Sequence, residues 1–482
     1  MQNAMNKLFI SIVTGLLVLT SCTQPQLREC AMFPDYQNVT IPQEIAPLNF
    51  FYYGKGAGMA VTRISAGSIE YKFRGRTVQI PTRKWRKLIR ESFSTPSQYD
   101  SADLGIIKVH SSLTGDWEIY VTKDPIDPYI TYRLIEPGYE VWNQVEIRQR
   151  DIRNFDETVI ATHSNTDNSC MNCHIHSGKN SMFYLRGDKG GAILSRDGEE
   201  LRKLALKTEE LISGTVYGEL HPSGNWGVFS TNIIIPGFHL EAGKRLEVFD
   251  TESDLCTVNF NDNFIVNSPS LARKDRLETF PCWSSDGKQV YYCVADTLSL
   301  PKDIENLKYS LAVADFDSAT GILSNERIIW DAEKQGGSAC HPKASKDGKW
   351  LMFTRADYGT FPIWHKECSL MMINLENGEI LTLEELKGDA SSSYHSWSSS
   401  SKWIVFASKR GDGVYGKPYF SHLGEDGHFS KPFVLPQLNP RHYVKTLKSY
   451  NIPDFGEIAV PFDAEDIARL REVSSAEVFT SK

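Results

Sequence analysis

A β-hairpin signal that returns four times constrains this chain more than any other feature. The best copy reads Trp283-Ser284-Ser285-Asp286-Gly287-Lys288 and runs into the apolar stretch Gln289-Val290-Tyr291-Tyr292. It recurs as Ala344-Ser345-Lys346-Asp347-Gly348-Lys349 before Trp350-Leu351-Met352-Phe353, and in degraded form as Trp397-Ser398-Ser399-Ser400-Ser401-Lys402 before Trp403-Ile404-Val405-Phe406. An earlier copy leads from His221-Pro222-Ser223-Gly224-Asn225 into Trp226-Gly227-Val228-Phe229. The aligned turns at 224, 287, 348 and 401 are spaced by 63, 61 and 53 residues. Asp-Gly tolerates the positive φ of a tight turn, and the apolar run after it reads as a buried strand. A second hairpin follows within the units, at Glu376-Asn377-Gly378 and at Asp426-Gly427. Four strands per unit predict propeller blades, five to seven in number, with Ala192 to Leu206 turning at Asp197-Gly198 as part of a further blade.

From about 180 to 440 the repeats resemble the TolB-type, WD40-like (PD40) repeat, whose signature Trp-Ser-Pro-Asp-Gly-Lys has its proline replaced in the copies turning at 287, 348 and 401. The resemblance implies an all-β propeller and, because propellers host many activities, no particular substrate.

Chemistry enters upstream of the repeats. Cys170-Met171-Asn172-Cys173-His174 is the Cys-x-x-Cys-His pattern of covalent haem attachment. Two thioethers, from Cys170 and Cys173, would hold one haem c, and His174 would be the proximal iron ligand. A zinc site built from Cys170, Cys173, His174 and His176 is the competing account, weakened because structural zinc usually joins two separated ligand pairs. The compartment agrees with haem. Lys7 precedes an uncharged apolar run from Leu8 to Leu19, then Leu19-Thr20-Ser21-Cys22, which reads as a signal peptide with a lipobox. The expectation is a lipoprotein acylated at Cys22 and tethered to a bacterial envelope membrane, the outer membrane most naturally, with its body outside the cytoplasm.

Residues 33–150 read as a β-rich, sandwich-like domain holding one amphipathic helix, in which Trp85, Leu88 and Ile89 share a face ringed by Arg83, Lys84, Arg86, Lys87 and Arg90. The expected organisation is therefore a signal peptide at 1–21, a tether at 22–32, this domain, a haem-binding segment at 151–190, the propeller at 191–445 and a tail at 446–482. Phe33-Pro34-Asp35-Tyr36, Thr40-Ile41-Pro42, Tyr132-Arg133-Leu134-Ile135-Glu136-Pro137-Gly138-Tyr139 and the haem motif together look like a family of envelope lipoproteins that join a single c-type haem to a TolB-like propeller. That resemblance implies haem and a propeller. A formal net charge of −8 leaves no domain-wide basic excess, which argues against nucleic acid as a partner.

The second axial position of the iron separates the functional alternatives. Met182, eight residues beyond His174, is one candidate and would raise the reduction potential. His221, His341 and His395, beside the first hairpin of three blades, are others. Arg133, Arg186 and Lys189 could neutralise the haem propionates, and His163 and His176 would face solvent or the haem edge. A closed, six-coordinate iron implies an electron carrier that uses the propeller to dock a redox partner. An open iron implies a redox enzyme, or a binding protein that senses redox state or gas. No nucleophile triad, P-loop or zincin motif supports hydrolase or nucleotide chemistry. Of the remaining cysteines (Cys30, Cys256, Cys282, Cys293, Cys340 and Cys368), Cys282 and Cys293 flank one hairpin and could bridge it.

Overall fold

The computed structural model describes residues 30–94, 104–136, 145–166, 174–185, 191–199, 201–237, 246–473 and 475–482. Cys22, Cys170, Cys173, Arg186 and Lys189 lie outside the described residues.

The strands form a β-propeller of six four-stranded blades among the described residues. Four blades carry the hairpins read from sequence. Their first strands are Thr215–Leu220, Arg276–Trp283, Ser338–Ala344 and Ser392–Trp397. Each is joined to its second strand through the turn at Gly224, Gly287, Gly348 or Ser401, with φ of 70°, 70°, 75° and 59°. The left-handed turn thus survives at Ser401 although glycine has been lost. A fifth blade starts at the haem motif's histidine and runs through His174–Ser177, Asn180–Leu185, Gly191–Ser195 and Arg202–Ala205, the last two joined at Asp197-Gly198.

The sixth blade carries no hairpin signature because it is assembled from both ends of the chain. Tyr129–Ile135, Glu146–Asp151 and Glu157–Thr162 supply its outer strands, and Ser449–Gly456 pairs antiparallel with Tyr129–Ile135 as its innermost strand. The first strands of all six blades then follow one another around a closed ring. The expected boundaries move accordingly: the N-terminal domain ends near Thr122, residues 129–162 belong to the propeller, and the stretch at 446–482 is a closing element instead of a tail. Beyond the closing strand, Glu477–Val478 and Thr480–Ser481 add parallel outer strands to two neighbouring blades.

The repeated tryptophan has a repeated role. Trp283 Nε1 donates to the Glu219 carbonyl of the preceding blade at 3.1 Å, and Trp397 Nε1 donates to the equivalent Lys343 carbonyl at 3.1 Å. Each indole therefore stitches a blade to its predecessor while filling the gap between them, an apolar body with one polar handle.

Ahead of the propeller, a five-stranded sheet and a three-stranded sheet pack as the sandwich-like domain expected. Helix Thr82–Ser92 buries Trp85, Leu88 and Ile89, as its periodicity predicts. Tyr52 and Trp117 of this domain share one hydrophobic core with Tyr132, Trp403, Phe420 and Tyr450 of the propeller. Arg150, 1 % exposed, ties the sixth blade to its neighbour by donating to the carbonyls of Asn154 and Pro436 at 2.8 and 2.9 Å. No helix among the described residues is long and apolar enough to cross a membrane.

Cys256, Cys282, Cys293, Cys340 and Cys368 are buried free thiols. The bridge considered between Cys282 and Cys293 is absent because a bulge sets Cys282 opposite Tyr291 and Cys293 opposite Thr279.

Glu278 gives the fold a pH signature. Its side chain is fully buried, with neither carboxyl oxygen hydrogen-bonded and Arg276 3.7 Å away. Burial pushes its pKa up to about 8, Arg276 opposing and the charges of Asp254 and Glu326 assisting. A carboxyl raised in the folded state is neutral there at neutral pH, so its penalty grows as pH rises from about 4.5 through 8. Chemical denaturation should show stability falling over that window, and Glu278→Gln should abolish this component and be the more stable protein by a few kcal/mol at pH 9.

Candidate functional site

The first strands of the blades share a distortion. Five of the six carry a register shift, between Thr215 and Gly218, Thr279 and Cys282, Cys340 and Lys343, Ser393 and His395, and Asn451 and Asp454, while His174–Ser177 pairs without one. At these bulges Phe280, His341, Tyr394 and Ile452 adopt left-handed φ of 52°, 53°, 51° and 47°. Four large side chains in that region, one of them β-branched, make a costly arrangement, on the order of 1–3 kcal/mol each. Strain repeated at one level of the ring turns side chains toward the axis. Tyr217, Phe280, His341 and Tyr394 form a continuous aromatic arc, with successive ring centroids 4.3, 4.0 and 4.5 Å apart.

The arc lines a cavity of about 200 Å³ on the propeller axis, to which His174, Arg133, Tyr184, His395 and Asp454 also contribute. His174 opens the innermost strand of its blade and stands in the cavity wall. Its side chain is buried, and Asp454 Oδ2 lies 3.9 Å from Nε2. Burial pushes the imidazole's pKa down to about 3, the charges of Arg133 and His176 add to the effect, and backbone hydrogen bonding at Ile452 and Thr131 opposes it. His174 is therefore a buried, neutral imidazole on the cavity wall.

His341 and His395 reach the same cavity. His395 donates from Nε2 to the Met352 carbonyl at 2.9 Å, which leaves Nδ1 with a lone pair and no partner. His341 Nδ1 is likewise unpartnered. Burial drives both toward the neutral form, His395 to about 3, and His395, Lys343 and Arg133 push His341 further down.

The other sequence candidates lie elsewhere. His221 is not equivalent to His341 or His395. It sits in the blade turn with Nδ1 2.8 Å from Ser223 Oγ and Nε2 3.1 Å from the Gly287 carbonyl, and lines a second chamber at the opposite end of the axis. Met182 pairs with Ile175, one residue out of step with the His174–Phe183 pair, so it points to the other face of the sheet. There it is fully buried among Tyr184, Leu194, Leu204 and Phe229 as a core methionine. His176 is buried instead of facing solvent, with Nε2 donating to the Ile458 carbonyl at 3.0 Å. His163 is half-buried in a short helical turn.

Sequence reading missed two features. One is the aromatic arc, whose signal is an aromatic or histidine seven residues before each turn. The other is a group of His365, Glu367 and Cys368 in one loop, the histidine and cysteine buried and the glutamate exposed, whose signal is three metal-ligating residue types within four positions.

No protein-family model matches the sequence, and no curated protein matches it. Solved structures with an overlapping fold include TolB from Agrobacterium tumefaciens, with a TM-score of 0.38 and 14 % identity over 64 % of this chain and 91 % of that one. They also include Kuenenia stuttgartiensis hydrazine synthase, at 0.33 and 12 % over 60 % of this chain and 75 % of that one. Cobalt-substituted Synechocystis apocarotenoid oxygenase overlaps at 0.41 and 10 % over 86 % of this chain and 94 % of that one. The propeller itself is established by the strand order.

The placement of Met182 has a direct consequence. Met182→Leu should cost less than about 1.5 kcal/mol and Met182→Ala about 2–5 kcal/mol in chemical denaturation, the pattern of a packed core site.

Proposed function

We propose that the protein is a lipid-anchored envelope cytochrome that holds one c-type haem at the axial cavity of a six-bladed propeller and transfers electrons to or from a protein partner docked on that propeller. The observation that carries this reading is His174: the histidine of a Cys-x-x-Cys-His motif, buried and neutral on the wall of a cavity. A neutral imidazole held at a cavity wall is a nitrogen donor, and iron fits it. Cys170 and Cys173 would hold the porphyrin through thioethers, His174 would supply the proximal nitrogen, and Arg133 would place a positive charge near the propionates. When bound, haem supplies a one-electron ferric/ferrous couple. The chain's own part is to keep His174 deprotonated by burial and to line the cavity with Tyr217, Phe280 and Tyr394, which exclude water. Acyl chains on Cys22 would keep the body at the membrane surface.

A second reading, a redox enzyme or sensor with an open iron, is favoured by one observation: His341 is wedged between Phe280 and Tyr394, so its nitrogen is held in the aromatic arc.

Visible spectra of protein matured in an envelope with haem-attachment machinery test both. One covalent haem per chain is expected, lost in Cys170→Ala/Cys173→Ala and perturbed in His174→Ala. A protein without covalent haem overturns the proposal. A low-spin reduced spectrum indifferent to carbon monoxide, converted to a carbon-monoxide-binding form by His341→Ala or His395→Ala and unchanged by Met182→Leu, supports the electron carrier. Ready carbon monoxide binding by the unmodified protein supports the open-iron reading.

A further inference from the structure

The loop between strands Trp350–Ala356 and Ser369–Asn374 carries His365, Glu367 and Cys368, and one ligand atom from each lies within 4.8 Å of the other two. His365 and Cys368 are each 4 % exposed, while Glu367 reaches the surface. His365 Nδ1 is 3.0 Å from Glu367 Oε1, while its Nε2 is 2.9 Å from Oε2 of Glu247, which arrives from a different blade. Glu247 thereby fixes the ring's orientation through Nε2, and Nδ1, the nitrogen a metal would take in exchange for its proton, faces Glu367. A carboxylate that orients a histidine through its far nitrogen is the usual support of a zinc-bound imidazole.

We propose that His365 Nδ1, Glu367 and Cys368 Sγ bind a zinc ion, with Glu247 as the positioning residue and water in the fourth position. The mixed nitrogen, oxygen and sulfur donors suit zinc better than calcium or magnesium, which take oxygen. The proton between Nδ1 and Glu367 and the thiol proton of Cys368 would leave as one dication enters, so the cluster's net charge does not change. No electron is transferred. Thr360 and Phe361 of the same loop line the axial cavity, so the ion would brace its rim.

The test is the metal content of the full-length mature protein, haem included, equilibrated with micromolar free zinc. One zinc per chain is expected, bound with release of about two protons near pH 7 by calorimetry in buffers of differing ionisation enthalpy. Cys368→Ser and His365→Gln should each weaken zinc binding by at least 100-fold, and Glu247→Gln by about 10- to 100-fold. Cobalt substitution should give a thiolate charge-transfer band that Cys368→Ser removes. Cys170→Ala/Cys173→Ala should keep the zinc, which separates this site from any at the haem motif and its outcome from that of the haem proposal. Absence of zinc from the unmodified protein overturns the assignment without need of any variant. Zinc retained in Cys368→Ser and His365→Gln, each checked for native circular dichroism, overturns it equally.

Discussion

The structure depends on one antiparallel pairing, that of Ser449–Gly456 with Tyr129–Ile135. A propeller is a ring of sheets, and a ring with one blade lacking its innermost strand exposes a sheet edge toward the axis. Here the closing strand comes from the far end of the chain, so the ring cannot be completed until nearly all of it is present. The entropic cost of bringing such distant segments together grows only logarithmically with separation, whereas the blade core gained is extensive. Tyr450 and Phe455 of the closing strand enter the core that also contains Tyr132, Trp403 and the N-terminal domain's Trp85 and Trp117. Closure, domain docking and blade packing are thus one cooperative event.

That closure is also what makes strain at the axis tolerable. Left-handed backbone at Phe280, His341, Tyr394 and Ile452 would relax in an isolated hairpin. In a closed ring each bulge is bounded by a neighbouring blade, and the indole stitches from Trp283 and Trp397 fix the spacing between them. Strain held this way buys geometry: rings and imidazoles aimed at a common axis instead of along the sheet.

What the sequence revealed and what it hid follow from the range of the interactions concerned. The turns at Gly224, Gly287, Gly348 and Ser401 are local, requiring only a residue tolerant of positive φ before an apolar strand, and they were legible even where glycine had become serine. The helix at Trp85, Leu88 and Ile89 was legible for the same reason. The sixth blade was not, because its first strand has no hairpin partner adjacent in sequence; Ile452-Pro453-Asp454 reads as coil until Tyr129–Ile135 is placed beside it. Met182 as an iron ligand failed on strand parity, since one position separates the face of His174 from the face of Ile175. His221, His341 and His395 looked equivalent at the resolution of weak repeats, but offsets of three, seven and six residues from their turns put the first in a turn and only the other two at the cavity. His174 itself needed no structure to be singled out, while its burial at the cavity wall did.

Charge along the axis explains how the cavity can remain a site for neutral donors. Glu219, Lys343 and Asp454 stand between the aromatic cavity and the polar chamber beyond it, with Lys343 Nζ 3.6 Å from Glu219 Oε1. Burial raises Asp454 to about 6 against the pull of Lys343, so near neutral pH its charge is held only weakly. Burial opposes charge on Lys343, but Glu219 and Asp454 restore it. The histidines on the cavity side are driven the other way, and Lys343 itself contributes to the depression of His341 and His395. Burial, with Lys343 assisting at His341 and His395, therefore keeps imidazolium from forming around the cavity. The same burial that costs the fold stability at Glu278 acts here, with the opposite sign for a base, to keep the cavity imidazoles neutral.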